Sequence, residues 1–140
     1  MHSGDPAASV KNLAGALAPG GHFVLVDDMP VEPFPPKRAA ALTEAKRMWR
    51  LPVMPSERGW REHFATAGME IVRTQDFSPL IYHRPVEEMD RLIARDRRRA
   101  WWLGWSGLRT IPEANVGGLL LERLAVEGLV QYRLLVGRKR

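Results

Sequence analysis

Apolar positions recur at helical spacing near the start of the chain and then run together. Val10, Leu13, Ala14 and Leu17 give residues 6–17 one apolar stripe. Asp5 is placed to cap such a helix, and Pro6 to fill its first position, where a missing N–H costs nothing. Pro19-Gly20-Gly21 then stops it. Phe23-Val24-Leu25-Val26 is an unbroken apolar run, which predicts a short strand covered on both faces and ending in two carboxylates, Asp27 and Asp28.

Further along, prolines at 30, 33, 35 and 36 predict a loop. A helix follows, with Ala41, Leu42, Ala45, Met48 and Trp49 on its apolar face, and Arg50-Leu51-Pro52 ends it. Ser56 caps a short helix carrying Trp60 and Phe64, stopped by Gly68. Met69–Asp76 has the β-branched content and partial alternation of a strand with one wetter side. From Pro85 a longer helix turns Val86, Met89, Leu92 and Ile93 inward beneath a basic outer face, and Gly104, Ser106 and Gly107 break it. Another helix, from Pro112, carries Leu119, Leu120, Leu121, Leu124 and Ala125 and stops at Gly128. Within it, Gly117-Gly118 either weakens the helix or permits close packing against a neighbour. Leu129–Val136 predicts the last strand. Helices alternating with three strands make this an α/β sequence.

Composition narrows the function classes. No apolar run approaches the ~20 residues needed to span a bilayer. No signal-peptide pattern opens the chain. With no cysteine, disulfides and thiolate metal sites are excluded, and a cytoplasmic location is expected. His22, His63 and His83 show no ligand spacing, so no metal site is expected. The net charge of +5 raises the question of an anionic partner. The excess gathers in Arg91, Arg95, Arg97, Arg98 and Arg99 and in Arg138-Lys139-Arg140. Read as a solvated helix face and a solvated tail, these imply neither nucleic acid nor membrane. The rival reading, nucleic-acid or membrane-surface binding through Arg91–Trp105, predicts binding that weakens steeply with salt.

The run Leu17-Ala-Pro-Gly-Gly-His-Phe-Val-Leu-Val-Asp27 resembles the helix–turn–strand that closes the catalytic half of class I S-adenosylmethionine-dependent methyltransferases. The opening His2-Ser-Gly-Asp-Pro6 resembles the residues after that family's fourth strand, and "AGMEIVRTQDFS" (residues 67–78) its entry into the sixth. The resemblance implies that residues 1–140 form the C-terminal, substrate-side part of such a domain. It implies a partial Rossmann-like sheet of three strands, the last inserted antiparallel, with helices packed on it. Residues 78–127 would be a helical insertion between the last two strands, shaping a pocket for a small-molecule acceptor.

Carboxylates at a strand's carboxyl end lie where ligands of open α/β sheets bind. Asp27 and Asp28 can orient an acceptor amine or hydroxyl, serve as general base, or simply satisfy backbone N–H groups of the turn. The resemblance gives His2 a place near donor and acceptor, where a neutral imidazole can take a proton; the bland alternative is a loose terminal histidine. It also puts Met29, Trp49, Tyr82 and Trp101 around the acceptor, against the alternative that the aromatic residues cover the core; for Trp101 and Trp105 an interfacial amphipathic helix and a partner interface compete as well. The family grips its cofactor through a glycine-rich turn after its first strand and an acidic residue ending the second, and this sequence holds no strand–glycine turn–helix. S-adenosylmethionine therefore belongs to the complete enzyme and no cofactor-binding residue is assigned to this chain. A sheet so truncated would expose the edge of its first strand, so the polypeptide is expected to pair through that edge, as a homo-oligomer or with a partner chain, to be a fragment of a longer product, or to be marginally stable alone. The competing function is a non-catalytic α/β interaction module lacking its cofactor half.

Overall fold

The computed structural model describes residues 4–104 and 106–140, so His2 and Trp105 lie outside the described residues. Six helices and three strands follow in the order α1 (Pro6–Ala16), β1 (His22–Pro30), α2 (Ala39–Trp49), α3 (Glu57–Thr66), β2 (Met69–Asp76), α4 (Ser78–Ile81), α5 (Val86–Trp102), α6 (Thr110–Val126) and β3 (Val130–Lys139), with single 3₁₀ turns at Pro36–Arg38 and Gly107–Arg109. The sheet order is β1-β3-β2. Both outer strands run antiparallel to β3, so the last strand is the central one.

Local chemistry sets the boundaries. The Asp5 carboxylate accepts the Ala8 N–H at 2.9 Å and opens α1. The Ser56 hydroxyl accepts the Gly59 N–H at 3.2 Å and opens α3. Gly68 and Gly128, at φ 75° and 74°, turn the chain from α3 into β2 and from α6 into β3, in a left-handed conformation that costs glycine little.

β1 is longer than its apolar run. It extends to Pro30, so Asp27 and Asp28 lie inside the strand, opposite Arg133 and Tyr132 of β3. It is also covered on one face rather than two. Leu25 and Met29 are buried with Leu135 beneath Val10 and Ala14 of α1 and Trp60 and Phe64 of α3. Val24 and Val26 alternate onto the opposite face, where Val24 is 53% exposed. Gly137 of β3 allows the close approach of α3, because a β-carbon there would stand 2.3 Å from the Phe64 ring.

The second body of core is helical. Ala45 of α2, Ile93 of α5 and Val116, Leu120 and Leu121 of α6 form one buried cluster. Leu124, Ala125 and Val130 form another, against which Phe34 and Tyr82 pack. The glycine pair at 117–118 serves close packing. A β-carbon on Gly117 would lie 2.6 Å from the Trp49 backbone nitrogen, so α2 and α6 touch nearly backbone to backbone. α5 and α6 fill the interval between β2 and β3, and α6 leads directly into the central strand.

Candidate functional site

The carboxyl end of β1 gathers the polar groups capable of chemistry. Its construction begins at β3. The Phe77 N–H donates to the Tyr132 carbonyl at 2.8 Å, and the Tyr132 N–H donates to the Ser78 hydroxyl at 2.8 Å. Asp76 in turn accepts from the Ser78 N–H at 2.8 Å, fixing the start of α4. The segment 77–78 is thereby pinned to the central strand, and one turn later Tyr82 reaches Asp28. The Tyr82 hydroxyl donates to Asp28 Oδ1, and its ring meets Tyr132 edge to face with centroids 6.4 Å apart.

Burial is the largest influence on Asp28 and pushes its carboxyl above the usual range. The Tyr82 hydrogen bond works against that rise, and the neighbouring Asp27 charge adds to it. Tyr82 is itself raised, by burial and by donating to a carboxylate, so its proton stays on the phenol. The result is a half-buried carboxylate held by a neutral phenol donor, a pair that can accept a proton or orient a hydroxyl or amine. Two residues beyond Tyr82, Arg84 pairs with Glu122 at 3.3 Å and Glu88 at 3.0 Å.

Asp27 does a different job. Strand alternation turns it to the face of Leu25 and Met29, and its Oδ1 accepts the Asp28 N–H at 3.0 Å. On that face, at the same end of the sheet, lies a cleft of about 420 Å³ lined by Met29, Glu32, Ser56, Glu57, Arg61 and Arg133 among others. Glu57 pairs with both Arg133 and Arg61 across it. Glu32 is held below the usual carboxylate range by the Ser56 hydroxyl and by Arg58, whose Nε lies 2.8 Å away.

The structure thus brings Asp28 and Tyr82 together and keeps Met29 beside them in the strand, its side chain buried toward α1 and α3. Trp49 and Trp101 sit elsewhere. Trp49 lies against Gly118 and borders a hollow with Thr110 and Ile111. Trp101, at the end of α5, borders another of about 390 Å³ with Arg47, Arg97 and Arg109. His2 falls outside the described residues. Tyr132 and Ser78 escaped the sequence reading. Their roles arise from strand register and from a hydroxyl bonding a backbone N–H 54 residues away, for which no local signal exists.

Among the described residues nothing fits a nucleotide cradle. Such a cradle needs a glycine turn leading from a strand's carboxyl end into a helix. The glycines at positive φ, Gly20, Gly68 and Gly128, all lie on the opposite kind of connection, from a helix into a strand. No group of three metal-ligating side chains is found among the described residues, and no helix among them is long and apolar enough to cross a membrane.

No family model and no curated protein matches this sequence. Solved structures do. A provisionally assigned sarcosine dimethylglycine methyltransferase from Galdieria sulphuraria superposes with a TM-score of 0.66 at 17% identity, over 99% of this chain and 49% of its own. The cyclopropane synthase MmaA2 of Mycobacterium tuberculosis matches with a TM-score of 0.65 at 15% identity, over 96% of this chain and 50% of its own. The mycolic acid cyclopropane synthase CmaA1, in complex with S-adenosylhomocysteine and CTAB, gives 0.65 at 14% identity with the same coverages. The chain therefore has the α/β fold of these methyltransferase-type structures and spans about half the length of each.

Proposed function

We propose that this chain is the substrate-side half of a small-molecule S-adenosylmethionine-dependent methyltransferase and contributes the acceptor pocket. The observation that carries this reading is the Tyr82–Asp28 pair at the carboxyl end of β1, on a chain whose fold matches half of such enzymes. Asp28 would hold the acceptor's hydroxyl or amine and take its proton, and Tyr82 would fix the carboxylate's orientation. Asp27, Met29 and residues of the helical layer 78–127 would shape the surroundings, with Trp49 and Trp101 reaching the acceptor only if it extends along that layer. His2 would complete the site from the residue stretch preceding α1. The methyl donor would be held by residues outside this chain, since no glycine turn from a strand into a helix lies among the described residues.

Calorimetric titration of the chain with S-adenosylhomocysteine is expected to give no heat. Tight binding by the chain alone would overturn the half-site reading. Methyl transfer to small hydroxyl and amine acceptors is expected only when a cofactor-binding half is co-expressed with this chain. It should fall at least about ten-fold in Asp28→Asn, as for loss of a positioned general base. A co-expressed pair whose transfer ignores that substitution would remove Asp28 from the chemistry.

A second reading, a non-catalytic interaction module, draws support from the same sheet. β1 pairs on one side only among the described residues, and Val24 and Val26 stand exposed beside that edge. It predicts a partner bound through β1 with no dependence on cofactor. In either case the free edge of β1 would be the place of assembly, with a second copy or with a different chain.

A further inference from the structure

Arginine is concentrated in the later turns of α5 and the turn after it, beyond the helix's acidic start, which carries Glu87, Glu88 and Asp90. Residues 91–109 hold six arginines and one aspartate, a formal +5, which equals the net charge of the whole chain. On α5 the buried positions are Met89, Ile93, Asp96 and Ala100. Arg91, Arg95, Arg98 and Trp102 follow one another at intervals of four, three and four residues, so they share the face opposite that buried stripe. Arg91 and Arg98, with Arg95 between them turned to Asp96, thus lead in line to an indole.

The end of that line is apolar to an unusual degree. Trp102 is 75% exposed and stands edge to face with Trp101, itself 74% exposed, their rings 5.3 Å apart. Leu108 and Ile111, from the turn and the start of α6, are 58% and 61% exposed. With Leu103 and Pro112 they frame a mainly apolar groove of about 520 Å³, whose polar lining is Arg99, Asn115 and Asp96, the last paired with Arg95 and Arg99. Water-exposed tryptophan and branched aliphatic side chains in one patch have a cost that nothing within the described residues offsets.

We propose that this patch docks on an anionic lipid surface, with Arg91 and Arg98 against the headgroups and Trp102, Leu108 and Ile111 in the acyl boundary. The arginine stripe complements the negative charge of such a surface. Indoles favour the zone where an apolar body meets polar headgroups. The aliphatic groove decides between partners: a nucleic acid would use the arginines and stack on the indoles, but gains nothing from Leu108 and Ile111. This docking is independent of the methyltransferase reading and goes against the expectation that a basic helix face is only solvated.

The test is co-sedimentation of the chain with vesicles of phosphatidylcholine alone and of phosphatidylcholine with phosphatidylserine. Binding is expected to the mixed vesicles and to fall steeply with salt. Charge removal in Arg91→Gln with Arg98→Gln, both on exposed positions, should weaken it about thirty-fold. Trp102→Ala should weaken it at least about five-fold without changing the salt dependence. Circular dichroism of both variants checks that they fold; should either not, Ile111→Ser takes its place, with loss again expected. Absence of binding to the mixed vesicles overturns the proposal, as does equal binding to neutral vesicles. Binding to a DNA duplex that falls with the arginine variant but ignores Trp102→Ala, with no vesicle binding, would assign the patch to nucleic acid instead.

Discussion

The ring of Trp49 fills the space that a side chain on Gly118 would need: a β-carbon there would lie 2.4 Å from Cζ3. One position earlier, a β-carbon on Gly117 would stand 2.6 Å from the Trp49 nitrogen and 3.0 Å from the Met48 carbonyl carbon. These two contacts differ in kind. An indole can move aside, whereas a helix backbone cannot without shifting the whole of α2.

Gly117→Ala should therefore destabilise the fold by about 1–3 kcal/mol, the usual cost of overpacking, despite the ~1 kcal/mol that alanine gains in helix propensity. Gly118→Ala should cost less, and Trp49→Ala should relieve most of its cost. Denaturant midpoints of the two single glycine variants and the Gly118→Ala, Trp49→Ala double variant check this. A Gly117→Ala protein as stable as the native one would refute the backbone-to-backbone contact.

Asp28 makes a prediction in pH. Its carboxyl is raised by burial above its ordinary value, so the native state holds the proton more tightly than the unfolded chain does. The group's favourable contribution is complete in acid and is lost as pH rises through the folded value. Asp28→Asn, which keeps an oxygen for Tyr82 but cannot ionise, should be more stable than the native protein at neutral pH. The gap should close in acid. Urea midpoints at the two conditions measure it, and a gap that persists in acid would show another cause.

Asp96 should behave in the opposite sense. Its carboxylate is 1% exposed and takes two hydrogen bonds from Arg95, at 2.9 and 3.1 Å, with Arg99 at 3.5 Å. Arg95 above all holds it below the usual carboxylate range. Its stabilising contribution is present above that range and lost as pH falls through the depressed folded value. Asp96→Asn should cost about 1–3 kcal/mol at neutral pH, as for a buried group stripped of a charged hydrogen bond. Thermal unfolding in strong acid should bring native and variant together.

The exposed flank of β1 gives a prediction about assembly. Val26→Lys puts a charge beside the unpaired edge, a device that discourages strand addition. If the chain associates through β1, sedimentation velocity should show the variant shifted toward monomer while its circular dichroism is unchanged. An unaltered distribution would place any assembly elsewhere.

Much of this was legible in the sequence, for physical reasons. Asp5, Ser56, Gly68 and Gly128 announce helix boundaries because caps and left-handed turns demand their particular side chains, or the lack of one. Met69–Asp76 shows its strand through β-branched residues, and the structure has it over the same span. The extent of β1 was not legible, because Asp27 and Asp28 are poor strand residues made strand by pairing with Arg133 and Tyr132. The Tyr82–Asp28 pair was hidden likewise. Each residue was visible as a candidate, but their meeting depends on α4 being pinned to the backbone of Tyr132. That tertiary fact has no periodicity.

The central place of β3 also bears on how the polypeptide is made. His22 pairs with Arg138 and Met69 with Lys139, so neither outer strand has a partner until residues 130–139 exist. On a ribosome, β1 and β2 must emerge and wait with their hydrogen-bonding edges open, and pairing over such separations is intrinsically slow. α1 and α3, which cover the apolar side of those strands, are translated next to them. During synthesis they would serve as the strands' temporary shelter.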